Sequence, residues 1–209
     1  MEFTLLWAVF LGAGAMWATD RFLNRRQRRF DDLLGATLMG LLVGRLAAMV
    51  AGGSYPWSHP GLILLVRAGV HPGWASIGAL GSLAWRFRST SLPISLAPMA
   101  VPALVGLSGW ELGCVFRSAC GGVTAGSWEV PIGEIAGLAF GLAALIVYRL
   151  PLGTKAAAAI AAAGLVRAAA DPFRSALNHS VIWWYLAAVV VGVALAITWT
   201  SPAVGTNPE

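Results

Sequence analysis

Apolar runs of about 13 to 20 residues fill most of this 209-residue chain, and short polar or glycine-rich stretches separate them. Runs of that length cross a hydrocarbon layer as helices, the structure in which each backbone polar group finds a partner within its own segment. Hydrophobic residues make up 58% of the chain and charged ones 11%. A water-soluble domain carries about 25% charged residues, so the expected solvent is lipid. No segment is long or polar enough for a separate soluble domain. The expectation is one transmembrane domain over residues 1–209, all-α, a polytopic bundle of about seven transmembrane helices.

The runs place the first helix at Phe3–Thr19, followed by a basic loop, Asp20–Phe30. The second is predicted over Asp32–Ala51, and Gly52–Pro60 with Tyr55, Pro56 and Trp57 reads as an outer loop. Gly61–Arg67 is apolar but too short to span, which fits a re-entrant or interfacial segment. The third helix starts at Pro72 or Gly73 and ends near Trp85. The fourth is predicted over Pro93–Trp110 with interruptions at Pro98 and Pro102, and Glu111–Trp128 is a glycine-rich outer segment. The fifth covers Val130–Val147 and the sixth the alanine run Ala156–Ala170. Asp171–Ser180 is an outer loop, the seventh helix is Val181–Trp199, and a polar tail follows.

Charge orients these spans. Nine of the fourteen basic residues fall in loops on one side: Arg21, Arg25, Arg26, Arg28, Arg29, Arg86, Arg88, Arg149 and Lys155. Positive residues collect on the cytoplasmic side, so the chain is expected to run N-out and C-in. The first apolar run has its charges after it, which reads as a retained helix and not a cleaved signal. The net charge of +5 is then a topology signal, and nucleic acid is not an expected partner.

Within that frame, arginines at bilayer depth are the residues to explain. Arg45, Arg67, Arg167 and Arg174 lie inside or beside apolar segments. A guanidinium keeps its charge and costs about 2.5–3.5 kcal/mol at mid-bilayer on insertion scales. An anion such as a lipid phosphate matches its planar fork of donors. Arg45 follows Gly44 too far from a span end to snorkel, so it should face a polar cavity or pair with a carboxylate such as Glu111 or Glu134. Arg167, Asp171 and Arg174 are spaced i, i+4 and i+7, although Pro172 disfavours helix beyond Asp171. They read either as an anion clamp with Asp171 orienting Arg167, or as an ion pair anchoring a helix end. His71, just before Pro72, reads either as a proton acceptor for a thiol or hydroxyl, or as a capping residue. Cys114 and Cys120 are six apart, about 240° around an ideal helix, and meet only where the backbone bends. They read as small buried hydrophobes or as a dithiol. Without a CxxC pair or a histidine cluster, no metal site is expected.

Four stretches in order carry a family resemblance. They are Gly44-Arg45-Leu46 within Asp32–Val50, Gly69-Val70-His71-Pro72-Gly73, Leu96-Ala97-Pro98 with Gly109 to Phe116 and on to Cys120-Gly121-Gly122, and Arg167 to Arg174. Together they resemble the prolipoprotein diacylglyceryl transferases of the bacterial inner (cytoplasmic) membrane. The resemblance implies transfer of a diacylglyceryl group from phosphatidylglycerol to the lipobox cysteine of a preprolipoprotein signal peptide, with glycerol phosphate leaving. It implies His71 and Arg167 as catalytic residues and Arg45, Arg117 and Arg174 as phospholipid-binding ones. Asp171 and Glu111 would orient them, Gly73, Gly113, Cys114 and Cys120 would be motif positions, and no cofactor would be used. The chain departs from the family at Glu111, where the signature carries an arginine; Arg117 is the nearby substitute. Cys114 stands for an asparagine, Ala119 for a glutamate, and Pro72 and Trp74 alter the histidine motif. A non-catalytic scaffold binding anionic lipid or a lipoprotein partner, and a thiol redox protein using Cys114 and Cys120, are the alternatives.

Overall fold

A computed structural model of the chain describes residues 3–25, 29–53, 69–113, 122, 124–125, 128–174 and 181–200. Seven α-helices dominate these residues: α1 (Phe3–Leu23), α2 (Phe30–Ala51), α3 (Pro72–Arg86), α4 (Leu92–Gly113), α5 (Ile132–Arg149), α6 (Leu152–Ala170) and α7 (Ile182–Thr200). A two-residue antiparallel ladder pairs β1 (Thr124–Ala125) with β2 (Trp128–Glu129). Each of the seven expected spans coincides with one of these helices. Five of them, α2, α4, α5, α6 with its terminal turn, and α7, are long and apolar enough to cross a membrane. At 15 residues, α3 is shorter than a span. The proposed re-entrant segment Gly61–Arg67 lies outside the described residues.

Several helix ends differ from expectation: α1 runs to Leu23 and α4 to Gly113, which places Asp20 and Glu111 in helices and not in loops, and two further differences have local reasons. Pro151 caps α6 and sets its start at Leu152, so Lys155 lies in the helix and not in a loop. The Lys155 ammonium sits 5.3 Å from the Tyr148 ring centroid, a cation–π contact suited to an interfacial lysine. Helix α4 runs unbroken through Pro98 and Pro102. Pro102 has no N–H to give the Pro98 carbonyl, and Asn24 replaces it: its side-chain amide donates to Pro98 O at 2.8 Å and to Asp20 Oδ1 at 2.7 Å. The Asp20 carboxylate, 1% exposed, accepts the Arg29 backbone N–H at 3.0 Å through its other oxygen.

The chain forms two compact units, Met1–Arg29 with Pro93–Glu209, and Phe30–Leu92. In the first, α1 and α4 pack antiparallel with almost no space between backbones. A Cβ on Gly109 would sit 2.6 Å from the Leu11 carbonyl oxygen, and one on Gly12 would sit 3.1 Å from that of Gly106. Ser108 ties α4 to α5 by donating to Gly137 O at 2.7 Å. Phe140, Ala144 and Val147 of α5 form a core with Leu104 and Val101 of α4 and Ala159 of α6. Helices α6 and α7 meet through Gly164 and Gly192, whose Cβ positions would fall 2.6 Å from Tyr185 O and 2.5 Å from Ala161 N. Small residues let helices associate in lipid, where apolar burial supplies no drive between them. Leu138, Leu145, Val190 and Ile197 point outward, as expected of side chains that face acyl chains.

In the second unit, α2 and α3 form a hairpin of the same kind. Gly40 and Gly44 face Ala75, and Gly78 faces Val43, each closer than a Cβ would allow.

Candidate functional site

The principal polar cluster of the first unit is built around Glu111, in the last turn of α4. Its side chain is 0% exposed. Arg167 Nη1 lies 2.6 Å from Oε1, and Arg174 Nη2 donates to Oε2 at 2.6 Å. Arg174 also reaches back through Nε to Asp171 Oδ1 at 3.3 Å. The Arg167 guanidinium lies 5.7 Å from the centroid of the Phe140 ring. From α7, Tyr185 brings its hydroxyl to the Asp171 carboxylate, beside both arginines.

Local chemistry explains this arrangement. The alanine run carries α6 to Ala170, where Pro172 prevents a regular helix and a 3₁₀ turn, Asp171–Phe173, takes over. Arg174 leaves that turn extended, with φ −87° and ψ 141°. Its backbone forms an antiparallel bridge with Gly122. Arg174 therefore turns back toward Glu111 and does not continue along the α6 face. A carboxylate removed from water costs several kcal/mol unless partnered, and two guanidiniums meet that requirement here. Two positive and two negative side chains leave the cluster formally neutral.

Three assignments are sharpened. Glu111, considered above as a partner for Arg45, gives one oxygen to each of Arg167 and Arg174. Arg167 is oriented by Glu111, and the arginine paired with Asp171 is Arg174. Tyr185 and Phe140 join the cluster without having been singled out; each sits in an apolar helix with no sequence pattern to mark it.

The second unit holds the other proposed residues. Arg45 of α2, 4% exposed, donates from Nη1 to Gly69 O at 3.2 Å. Gly69 has φ +85°, a conformation that favours glycine. The His71 backbone N–H donates to Gly44 O at 3.0 Å. A Cβ on Gly44 would approach Val70 Cγ1 to 2.5 Å, so the glycine before Arg45 is what admits the histidine segment. His71 occupies the N-cap of α3 with its side chain making no cap bond, Pro72 is in the first turn, and Gly73 is buried. Gly44 and Gly69 thus bring the backbone segments that carry Arg45 and His71 into direct contact. Gly113 packs against Ala8 of α1. Arg67, Cys114, Arg117 and Cys120 lie outside the described residues.

Chemically, the Glu111 cluster presents two guanidinium forks preoriented by carboxylates. No protein-family model matches the chain, and no curated protein matches it significantly.

Proposed function

We propose that this chain is a phosphatidylglycerol–prolipoprotein diacylglyceryl transferase-like enzyme of the bacterial inner membrane, multi-pass, with seven spans running N-out and C-in. One observation carries the reading: Glu111 and the Arg167–Arg174 stretch, about 56 to 63 residues apart in sequence, join directly through paired charges. These are two of the four stretches on which the family resemblance rests. In the proposed reaction the lipobox thiol gives its proton to His71. The thiolate sulfur then attacks the glyceryl carbon bonded to the phosphate oxygen. The carbon–sulfur bond forms as the carbon–oxygen bond breaks, and glycerol phosphate leaves with the electron pair. Arg167 stabilises the departing charge, while Arg45, Arg117 and Arg174 bind the lipid phosphate.

A second reading has its own support. Glu111 already satisfies both guanidiniums and, with Asp171, cancels their charge. That favours a scaffold that binds anionic lipid or a lipoprotein partner without turnover. Proteoliposomes containing phosphatidylglycerol and a lipobox peptide separate the two. The transferase reading expects the peptide to gain one diacylglyceryl mass with release of glycerol phosphate. Lipid retention without that gain rejects it in favour of the scaffold, and neither signal rejects both.

A further inference from the structure

The second unit carries a polar groove unrelated to the residues considered so far. A space of about 540 Å³ opens between the start of α2 and the end of α3, lined by Asp31, Asp32, Ser82, Trp85, Arg86 and Arg88 among others. Its charges fall in two sets. Asp31 and Asp32 occupy the first turn of α2. Arg86 ends α3 and Arg88 follows its C-cap. Each set also complements its helix dipole. Asp32 is buried and forms an ion pair with Arg86 Nε, while the Arg86 side chain remains 64% exposed. Arg88 is exposed and stacks 4.2 Å from the Trp85 ring centroid, which holds its guanidinium in place. Asp31 is exposed and lines the groove from the first turn of α2.

We propose that this groove binds a phosphoethanolamine group, its phosphate on Arg86 and Arg88 and its primary ammonium on Asp31. The argument is charge matching. A ligand with a phosphate alone satisfies the arginines and is repelled by Asp31. A quaternary ammonium offers no N–H to a carboxylate and needs an open aromatic face. Trp85 is the one aromatic side chain lining the groove, and Arg88 lies on it. A primary ammonium donates directly to Asp31. The groove is large enough for the headgroup, since small-molecule sites hold about 300–1,000 Å³. It also lies at the end of α2, one of the five helices able to cross a membrane, where headgroups are found. The group could arrive on a phospholipid or as a free solute.

Native mass spectrometry of the full chain with equimolar phosphatidylethanolamine, phosphatidylcholine and phosphatidylglycerol tests the proposal. In the share of bound lipid that Arg88→Gln removes, phosphatidylethanolamine should be retained about fivefold over each of the others, the upper range for one exposed charge pair; phosphatidylglycerol held at the proposed transferase site stays outside that share. Asp31→Asn should remove that preference, and Arg88→Gln should lower retention of all three lipids. Both positions are exposed, and an unchanged helical circular dichroism spectrum confirms folding. Displacement of the lipid by soluble phosphoethanolamine identifies the headgroup as sufficient; Asp31-dependent preference without displacement identifies the membrane lipid as the source. Equal retention of the three lipids in the share removed by Arg88→Gln, or a preference that survives Asp31→Asn, overturns the assignment.

Discussion

Glu111 is buried between two guanidiniums, and the sign of its charge suits that site. With a cation there, three guanidiniums would crowd one buried site. With Glu111, each of the two present finds a carboxylate oxygen at 2.6 Å. Glu111→Gln keeps the shape and removes the charge, leaving both arginines under-compensated. Breaking a buried pair costs about 3–5 kcal/mol, so thermal unfolding in detergent should begin on the order of 10 °C lower. A double-mutant cycle adds a sharper measure: Glu111→Gln combined with Arg174→Gln should destabilise less than the two single changes added together, because both remove one shared interaction. Spacing made Arg167, Asp171 and Arg174 legible as a group. It carried no information about Glu111, because a partner on another helix leaves no periodic trace. Pro172 was the visible warning that Arg174 would depart from the α6 face, but the direction of departure was set by the bridge to Gly122.

Helix α4 shows how an element can be read correctly for the wrong continuity. Two prolines argued for interruption, and the helix nevertheless runs from Leu92 to Gly113. The reason lies just past the end of α1, where Asn24 supplies the donor that Pro102 lacks. Asn24→Leu would leave the Pro98 carbonyl and the buried Asp20 short of partners. An unsatisfied buried group costs about 1–3 kcal/mol, so the variant should unfold at lower temperature and exchange backbone amides faster around residues 99–104. Unchanged exchange there would show that α4 supports its own kink-free path. The glycine seams are the second element-scale device. Gly192→Leu must move α6 and α7 apart, because even a Cβ would fall 2.5 Å from Ala161 N. Overpacking of this kind costs about 1–3 kcal/mol, and resistance to denaturant should fall accordingly. The alanine and glycine content of α6 advertised a close contact in the sequence. Which helix would fill it was not written there, since small residues specify proximity and not identity.

For the whole molecule, periodic apolar runs recovered every helix among the described residues, because lipid imposes one dominant requirement on the backbone. A fluorescent protein fused after Glu209 should fluoresce if the C-terminus faces the cytoplasm, and a dark but membrane-inserted fusion would reverse the proposed orientation. Thickness was the harder quantity to read. At 1.5 Å per residue, the fifteen residues of α3 reach about 22 Å, against about 30 Å of hydrocarbon. On the proposed seven-span topology, a path across the bilayer by so short a rod dimples the membrane around it, drawing water and headgroups toward the interior and lowering the barrier that acyl chains present to polar solutes nearby. The molecule should consequently be more stable in short-chain than in long-chain lipids, and its host bilayer should be thinnest beside this hairpin.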